Sequence, residues 1–259
     1  KFKPMSLQGK VYSSLDNGIG TITFFHPQSN SLPGELLRKL ANEIQLLGNN
    51  DSCKVIVLQS EGEKAFCAGA SFDELVSLEN LEAGKHFFSG FALVINAMRK
   101  APKFVIARVQ GKAVGGGVGI ACAADYTLAL ETASVKLSEL AVGIGPFVVG
   151  PAVERKIGTA AFSALSINAT EWQSAQWALS KGMYAEIFST TENLDNAILS
   201  LVDKLSQSNP EAMRMLKQIQ WQGTDNWDTL LFERAETSGK LVLSEFTRNA
   251  IAKFKTGVR

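Results

Sequence analysis

Residues 104–120 read FVIARVQGKAVGGGVGI, and this stretch decides the fold class. It opens with the apolar run Phe104–Val109, which is typical of a strand buried on both faces of a sheet. Glycines and small residues follow, and residues 114–124 predict a helix that begins at those glycines. A buried strand, a small-residue turn and a helix in this order are typical of an α/β protein with parallel strands.

A second stretch, KAFCAGASFDEL at residues 64–75, has the same order of strand, small-residue turn and helix. Small residues let a ligand approach the backbone closely, and free N–H groups at a helix start stabilise an anion. Two such turns on neighbouring parallel strands would direct two N–H groups at one point, which is the geometry of an oxyanion hole. Taken alone, each stretch is more often a structural turn. Neither carries the GxxxxGK[ST] phosphate loop, and no GxGxxG lies in a first βαβ unit.

The rest of the chain changes character near residue 190. Alternating strands and helices precede that point, and only helices follow it. The pattern predicts a hairpin turn at residues 16–18, strands at 54–59 and 126–130, helices at 36–47, 81–100, 171–182 and 191–206, and further helices from residue 210 onward.

Composition excludes several classes of protein. Of the 259 residues, 46% are hydrophobic and 20% are charged, which excludes a disordered chain. The chain has 26 Lys and Arg against 25 Asp and Glu, a net charge of +1, so neither a nucleic-acid surface nor a polybasic membrane anchor is expected. The uncharged stretches 113–124 and 140–153 are too short to span a membrane, and the first ten residues hold no signal-peptide core.

The three cysteines, Cys53, Cys67 and Cys122, form no CxxC pair and are odd in number. This pattern predicts free thiols in a reducing compartment, and we therefore expect the cytoplasm. His26 and His86 are far apart in the chain and belong to no metal-binding motif, so we expect no metal site.

Taken together, the two glycine-flanked stretches resemble the crotonase (enoyl-CoA hydratase/isomerase) superfamily. Several segments agree with the family in order and spacing, over about residues 10–256. They are GIGTITFFHPQSNSL at 18–32, FCAGA at 66–70, PKFVIARVQGKAVGGG at 102–117, ACAADYTLA at 121–129 and FERAETSGKLVLSEFTRNAIAKF at 232–254.

The resemblance implies an α/β fold, a spiral of ββα units whose strands stack into two perpendicular sheets. It implies an acyl-CoA-binding core domain at residues 1–195 and a C-terminal helical trimerisation region at residues 196–259. The expected partner is an acyl-CoA thioester, with coenzyme A as part of the substrate and no further cofactor. The expected assembly is a homotrimer or a dimer of trimers.

The resemblance also implies catalytic roles. The backbone N–H groups of Ala70 and Gly116 would hold the thioester oxygen as it becomes an enolate. Two-carboxylate hydratases of the family carry a Glu two residues after the triple glycine, where this chain has Gly119. The second acid is kept as Glu139, and Phe147 follows the proline of a turn in which the family has glycine. One carboxylate favours double-bond migration over hydration that needs a water held between two acids.

Other candidates rest on the same resemblance. A single-Glu enoyl-CoA hydratase and a catalytically weak binder of CoA esters stay open as alternatives. For Glu139 the alternative is a structural charge at a helix start, for the lysines ordinary surface charge, and for the phenylalanines core packing. The candidates are Lys64, Ala68, Lys253 and Lys255 for CoA, and His86, Phe91 and Phe147 for the acyl pocket.

Overall fold

The computed structural model describes the backbone of residues 9–256 and the side chains of residues 9–253. Within that part of the chain the strands are β1 (Lys10–Asp16), β2 (Ile19–Phe25), β3 (Val55–Ser60), β4 (Ala65–Cys67), β5 (Phe104–Val109), β6 (Lys112–Val114), β7 (Tyr126–Leu130), β8 (Ser134–Lys136), β9 (Gln173–Ser174) and β10 (Glu186–Phe188). The helices are α1 (Gly34–Asn49), α2 (Phe72–Ser77), α3 (Leu81–Lys100), α4 (Gly116–Ala123), α5 (Gly150–Ile167), α6 (Ala175–Ser180), α7 (Thr191–Ser206), α8 (Pro210–Gln220), α9 (Trp227–Leu241) and α10 (Glu245–Thr256), with a short 3₁₀ helix at Glu139–Val142.

The strands alternate between two sheets. The larger sheet has the order β1-β2-β3-β5-β7-β10, and the smaller has the order β4-β6-β8-β9. Three times in succession, the chain passes through a strand of the larger sheet, a strand of the smaller sheet and then a helical segment. This repetition confirms the predicted ββα arrangement. It places the carboxyl ends of β4, β6 and β8 side by side, because these three strands are parallel neighbours.

The opening hairpin follows the prediction. β1 and β2 pair antiparallel across a two-residue turn of Asn17 and Gly18, both of which have positive φ. Such a turn matches the twist of the two strands, and glycine adopts its backbone conformation without strain. β3, predicted as a strand buried on both faces, is covered by α1 on one face and by α7 on the other.

One predicted element is wrong. Residues 171–182 were expected to form a single helix, but the short strand β9 occupies Gln173–Ser174, and α6 begins only at Ala175. β9 pairs antiparallel with β8 at the edge of the smaller sheet. The pairing supplies backbone hydrogen bonds that a local helical pattern does not predict. The Ser174 hydroxyl accepts a hydrogen bond from the Trp177 N–H and so starts α6 after the strand.

From the end of β10 to residue 256, the described chain is all-α, as predicted. α7 packs on the outer face of the larger sheet, with Leu194, Ile198 and Val202 buried there. The predicted division between residues 195 and 196 falls within α7, and the two-part organisation stays a prediction. None of the helices described is long and apolar enough to cross a lipid bilayer.

Asp125 joins the C-terminal helices to the core. Its carboxylate accepts hydrogen bonds from the Val105 N–H at 2.7 Å and the Trp221 indole N–H at 2.8 Å. It also pairs with the ammonium group of Lys217 at 2.8 Å, and both side chains are buried. The Lys217 ammonium donates to the carbonyls of Met98 and Lys103 as well. α8 is thereby tied to the start of β5 in the larger sheet and to Asp125, just past the end of α4.

Candidate active site

The two glycine-flanked turns lie in direct backbone contact. They follow β4 and β6, which are parallel neighbours, as the sequence predicts. Gly69 has a φ of +82°, and a Cβ atom there would lie 2.7 Å from the Val114 carbonyl oxygen and 3.2 Å from the Gly116 nitrogen. A side chain at Gly117 would collide with the Cys67 carbonyl. Glycine at these positions therefore allows the two turns to approach each other.

The N–H groups of Ala70 and Gly116 take no part in the hydrogen bonds that build their own turns. Ala70 forms a bridge with Leu32, but that bridge uses the N–H groups of Leu32 and Ser71, bonded to the Gly69 and Leu32 carbonyls. Gly116 is the first residue of α4, so its N–H has no acceptor within the helix. Both residues line the same cleft. The structure thus brings the two predicted donor residues together.

Glu139 lies at the same cleft. It begins the 3₁₀ helix that follows β8, and its carboxylate lies beside Gly115, where a Cβ would be 3.1 Å from Oε1. The residue as a whole is partly exposed, but Oε2 is buried and has no hydrogen-bond partner among the described residues. Burial raises the pKa of Glu139 to about 7, opposed in part by a hydrogen bond from its own backbone N–H. A carboxylate with this pKa can both accept and release a proton near neutral pH.

The cleft has an apolar lining and encloses about 580 Å³, including the part open to solvent. Glu139 is the one titratable side chain among the described residues that line it. The other polar side chains in this lining belong to two serines. The lining residues are Ala68, Gly69, Ala70, Phe72, Leu75, Phe88, Phe91, Gly115, Gly116, Ser138, Glu139, Val142, Ile144, Gly145, Pro146, Phe147, Val148, Val149 and Ser238.

Val149 fills the space beside Gly119. A Cβ atom at Gly119 would collide with the Cβ and Cγ1 atoms of Val149, which is buried and lines the cleft. Val149 directly precedes α5, so its position is set by the start of that helix. A carboxylate at position 119 therefore has no room while Val149 is in place. Val149, and not the Phe147 singled out in the sequence, is therefore the residue of this turn that fills the space beside position 119.

The other predicted site residues divide into two groups. Ala68, Phe91 and Phe147 line the cleft, and the Phe91 ring covers Gly116. The remaining candidates are not brought to it. His86 is exposed on α3, because Phe87, Phe88 and Phe91 occupy the inward face of that helix; Lys64 and Lys253 are exposed and lie outside the lining, and the side chain of Lys255 lies outside the described residues.

Sequence reasoning missed Ser238. This residue of α9 is buried and lines the cleft, although it is 99 residues beyond Glu139 in the chain. α9 reaches the cleft because it crosses α3 at Gly84 and Gly239, where a Cβ on Gly84 would lie 2.8 Å from the Gly239 Cα. The signal that could have found it is the presence of one glycine in each of the two helices, Gly84 and Gly239. Their pairing is not readable from one sequence.

A cleft with one buried carboxylate and two backbone N–H groups that have no acceptor in the described turns, on two sheets of alternating ββα units, defines a crotonase-type α/β protein. Residues 14–246 match the family model described as enoyl-CoA hydratase/isomerase. The chain belongs to this family, which is a family of enzymes.

Similar proteins agree with this assignment. The short-chain-enoyl-CoA hydratase of Clostridium acetobutylicum is 28% identical over 244 residues, covering 91% of this chain and 90% of the relative. An enoyl-CoA hydratase/isomerase homologue of Bacillus subtilis (strain 168) is 36% identical over 139 residues, and the match spans only about half of each protein, 52% of either chain. The crystal structure of an enoyl-CoA hydratase from Bacillus halodurans has a TM-score of 0.86 at 22% identity, covering 93% of this chain and 98% of that one, which confirms the predicted fold.

Proposed function

We propose that the protein moves a double bond within an acyl-CoA thioester, converting 3-enoyl-CoA to 2-enoyl-CoA, with Glu139 as the single acid and base. The observation that carries the proposal is the pairing of one buried carboxylate with a Val149 side chain in the space of a second acid. Moving a double bond requires one group that takes a proton and gives it back. Hydration between two acids requires a second polar anchor for water.

The proposed reaction has two steps that balance. The Glu139 carboxylate removes a proton from C2 of the 3-enoyl thioester, and the electron pair of that C–H bond forms a dienolate whose charge lies largely on the thioester oxygen. The N–H groups of Ala70 and Gly116 stabilise this oxygen, because their dipoles are fixed before the charge develops. The Glu139 carboxylic acid then returns the proton to C4. No water is consumed and the carboxylate is regenerated.

The electrostatics of the cleft support this role for Glu139. A carboxylate at its ordinary pKa would be a weak base toward a carbon acid, and burial among apolar side chains makes it more basic. The Glu139 carboxylate removes the proton from C2, and the same group returns it to C4. A pKa of about 7 suits both steps. These steps need only proton transfer and charge stabilisation, so coenzyme A enters as part of the substrate and no further cofactor or metal is proposed.

A second candidate is hydration of 2-enoyl-CoA by the single Glu139. The name of the Clostridium acetobutylicum relative, a short-chain-enoyl-CoA hydratase, favours it. A third candidate is a binder of CoA esters with little activity. All three candidates use the same cleft. The isomerase returns the proton to a second carbon, the hydratase adds water, and the binder does neither.

The deciding experiment is a panel assay. Matched 2-enoyl-CoA and 3-enoyl-CoA esters are supplied separately, and isomerisation and hydration are followed by chromatography of the products. We expect 3-enoyl-CoA to be converted at least about tenfold faster than 2-enoyl-CoA is hydrated. Faster hydration would establish the single-Glu hydratase instead, and no turnover of either ester with retained binding would establish the binder.

The Gly116 N–H can be tested with a matched pair of variants. Any side chain at Gly116 meets the Phe91 ring, so Gly116→Ala serves as the control that has the clash but keeps the donor. Gly116→Pro removes the donor, and proline is tolerated at the first helical position that Gly116 occupies. We expect kcat of Gly116→Pro to be roughly 10²–10³ lower than that of Gly116→Ala. Equal rates for the two variants would remove Gly116 from the proposed oxyanion site.

The proposed CoA contacts are Ala68 at the cleft and the lysines 64, 253 and 255. Lys64 stands just before β4, whose carboxyl end leads to Ala68. The ammonium group of Lys64 would meet a phosphate outside the cleft, as the length of the pantetheine arm allows. The three cysteines are buried free thiols, which supports the proposed cytoplasmic location.

We propose a homotrimer, or a dimer of trimers, assembled through the C-terminal helices. α8 exposes three apolar side chains on one face, Met215 at 52%, Leu216 at 48% and Ile219 at 59%. Its inward face holds Met213 and the buried Lys217, so these three apolar side chains face away from the core. A continuous apolar helix face of this kind is typical of a surface that packs against another chain.

The assembly prediction uses charge on that face. Met215→Glu combined with Ile219→Glu is expected to shift the protein from trimer to monomer in light scattering at micromolar concentration, because burying unpaired carboxylates is unfavourable. Ile167→Glu, at an apolar residue that is 73% exposed on α5, is the control and should leave the mass unchanged. A wild-type protein that is already monomeric would contradict the proposal.

A further inference from the structure

The carboxylate of Glu139 is carried by an element with little stability of its own. The 3₁₀ helix Glu139–Val142 has four residues, and no side chain caps its start. It ends at Gly143, which has a φ of +81° and donates its N–H to the carbonyls of Glu139 and Leu140. Short 3₁₀ helices have weak hydrogen-bond geometry. The direction of the carboxylate therefore depends on what packs against this turn.

The first turn of α10 packs directly on Gly143. A Cβ atom on Gly143 would lie 2.5 Å from the Phe246 ring and 2.6 Å from the Thr247 hydroxyl oxygen, so both residues touch the backbone at this point. Thr247 is fully buried, whereas Phe246 is 69% exposed. The Thr247 hydroxyl is itself held by Ser244, whose Oγ donates to it at 3.0 Å. The Ser244 Oγ also accepts a hydrogen bond from the Thr247 N–H.

The same helix contacts the other half of the site. α10 packs against α2, the helix that follows the turn of Ala70, as well as against the 3₁₀ helix of Glu139. It thus spans the two elements whose relative position sets the distance between the carboxylate and the backbone donors. Its own charged residues next to the contact, Glu245 and Arg248, are exposed, and the described lining of the cleft holds no titratable group besides Glu139.

We propose that Phe246 and Thr247 are positioning residues that act through Gly143 to hold the turn of Glu139 in the cleft. The expected effect on catalysis rests on the proposed function, whereas the packing contact itself does not depend on the substrate. Removing the contact frees the turn to move outward, so water reaches the carboxylate. Water stabilises the charged form and lowers the pKa of Glu139, and the base is then both displaced and weaker.

Phe246→Ala is the main test variant, because an exposed ring can be removed with little effect on folding. Thr247→Val keeps the shape of Thr247 and removes its hydroxyl. Phe246→Tyr keeps the ring and should restore wild-type behaviour. Asn249→Ala, at an exposed position of the same helix, is the control. We expect Phe246→Ala to lower kcat by roughly 10- to 100-fold with little change in KM and in melting temperature.

A second readout needs no substrate. Infrared titration of the free protein reports the protonated carboxyl band of Glu139, which is assigned by its absence in Glu139→Gln. We expect this titration to move from about pH 7 in the wild type toward the ordinary value in Phe246→Ala, and to stay in place in Phe246→Tyr and Asn249→Ala. An unchanged titration in both Phe246→Ala and Thr247→Val would overturn the inference. The proposed reaction would fail separately, through the product assay of the wild-type protein.

Discussion

Glu139→Gln is expected to lower kcat by about 10²–10⁴ for whichever ester the protein turns over, because the amide cannot accept the C2 proton. The substitution preserves shape and hydrogen-bonding capacity, and KM should therefore change little. The measurement is a steady-state comparison of purified variants. Glu131→Gln is the matched control, since Glu131 is an exposed carboxylate with no place in the cleft.

Glu139→Gln is expected to have the opposite effect on stability: it lowers kcat but raises the free energy of unfolding. The folded protein holds a proton on Glu139 up to about pH 7, whereas the unfolded chain releases it near the ordinary value of 4.5. Between these pH values the folded state binds more protons than the unfolded state, so this residue lowers the free energy of unfolding as the pH rises through the window. Glu139→Gln should therefore raise stability above pH 7, by on the order of 3 kcal/mol at most, and leave it unchanged at pH 4.

The pH dependence of catalysis runs the other way. A base must be ionised, so kcat/KM should fall as the pH drops below about 7 and level off above it. The limb should vanish in Glu139→Gln and persist in Glu131→Gln. If Glu139→Gln keeps full activity with the same pH profile, another group in the cleft is the base. The proposed role of Glu139, and with it the proposed isomerase mechanism, would then be wrong.

Much of this site was predictable because its parts are local. Ala70 and Gly116 each lie in a small-residue turn directly after a strand, and parallel strands bring such turns to one edge. The side of the cleft formed by Val149 was only half predictable. The bulky turn is visible in the sequence, but its contact with Gly119 depends on how α5 begins against α4.

Other features depend on packing that leaves no local pattern. Ser238 reaches the cleft only through the crossing of α3 and α9. β9 forms because a neighbouring strand edge needs partners, against the helical pattern of residues 171–182. The prediction for His86 was based on the periodicity of α3. Three phenylalanines occupy the inward face of that helix, and the imidazole is exposed to solvent. Apolar burial decides such competitions because an apolar ring loses more than a polar one when exposed.

The burial of Lys217 is the feature that the sequence predicts least. Lysine is rarely buried, and its partner Asp125 is distant in the chain. Lys217→Met is expected to lower the free energy of unfolding by about 3–5 kcal/mol, because it leaves the Asp125 carboxylate without its counter-charge and two carbonyls without a donor. For a chain of this size, that corresponds to a melting temperature lower by roughly 6–20 °C. The measurement is thermal and urea unfolding at one fixed protein concentration.

Two further variants separate the ion pair from the packing around it. Lys204→Met, at an exposed lysine of α7, is the control and should change stability little. Lys217→Met combined with Asp125→Asn removes both charges and should recover part of the loss, since a neutral pair leaves no buried charge unpaired. If Lys217→Met unfolds like Lys204→Met, the buried pair contributes nothing and α8 is held by its apolar contacts alone. If the loss is found, α8 is anchored through Asp125 directly behind α4, so the helix that presents Gly116 to the cleft is fixed at its far end by a charge from the C-terminal region.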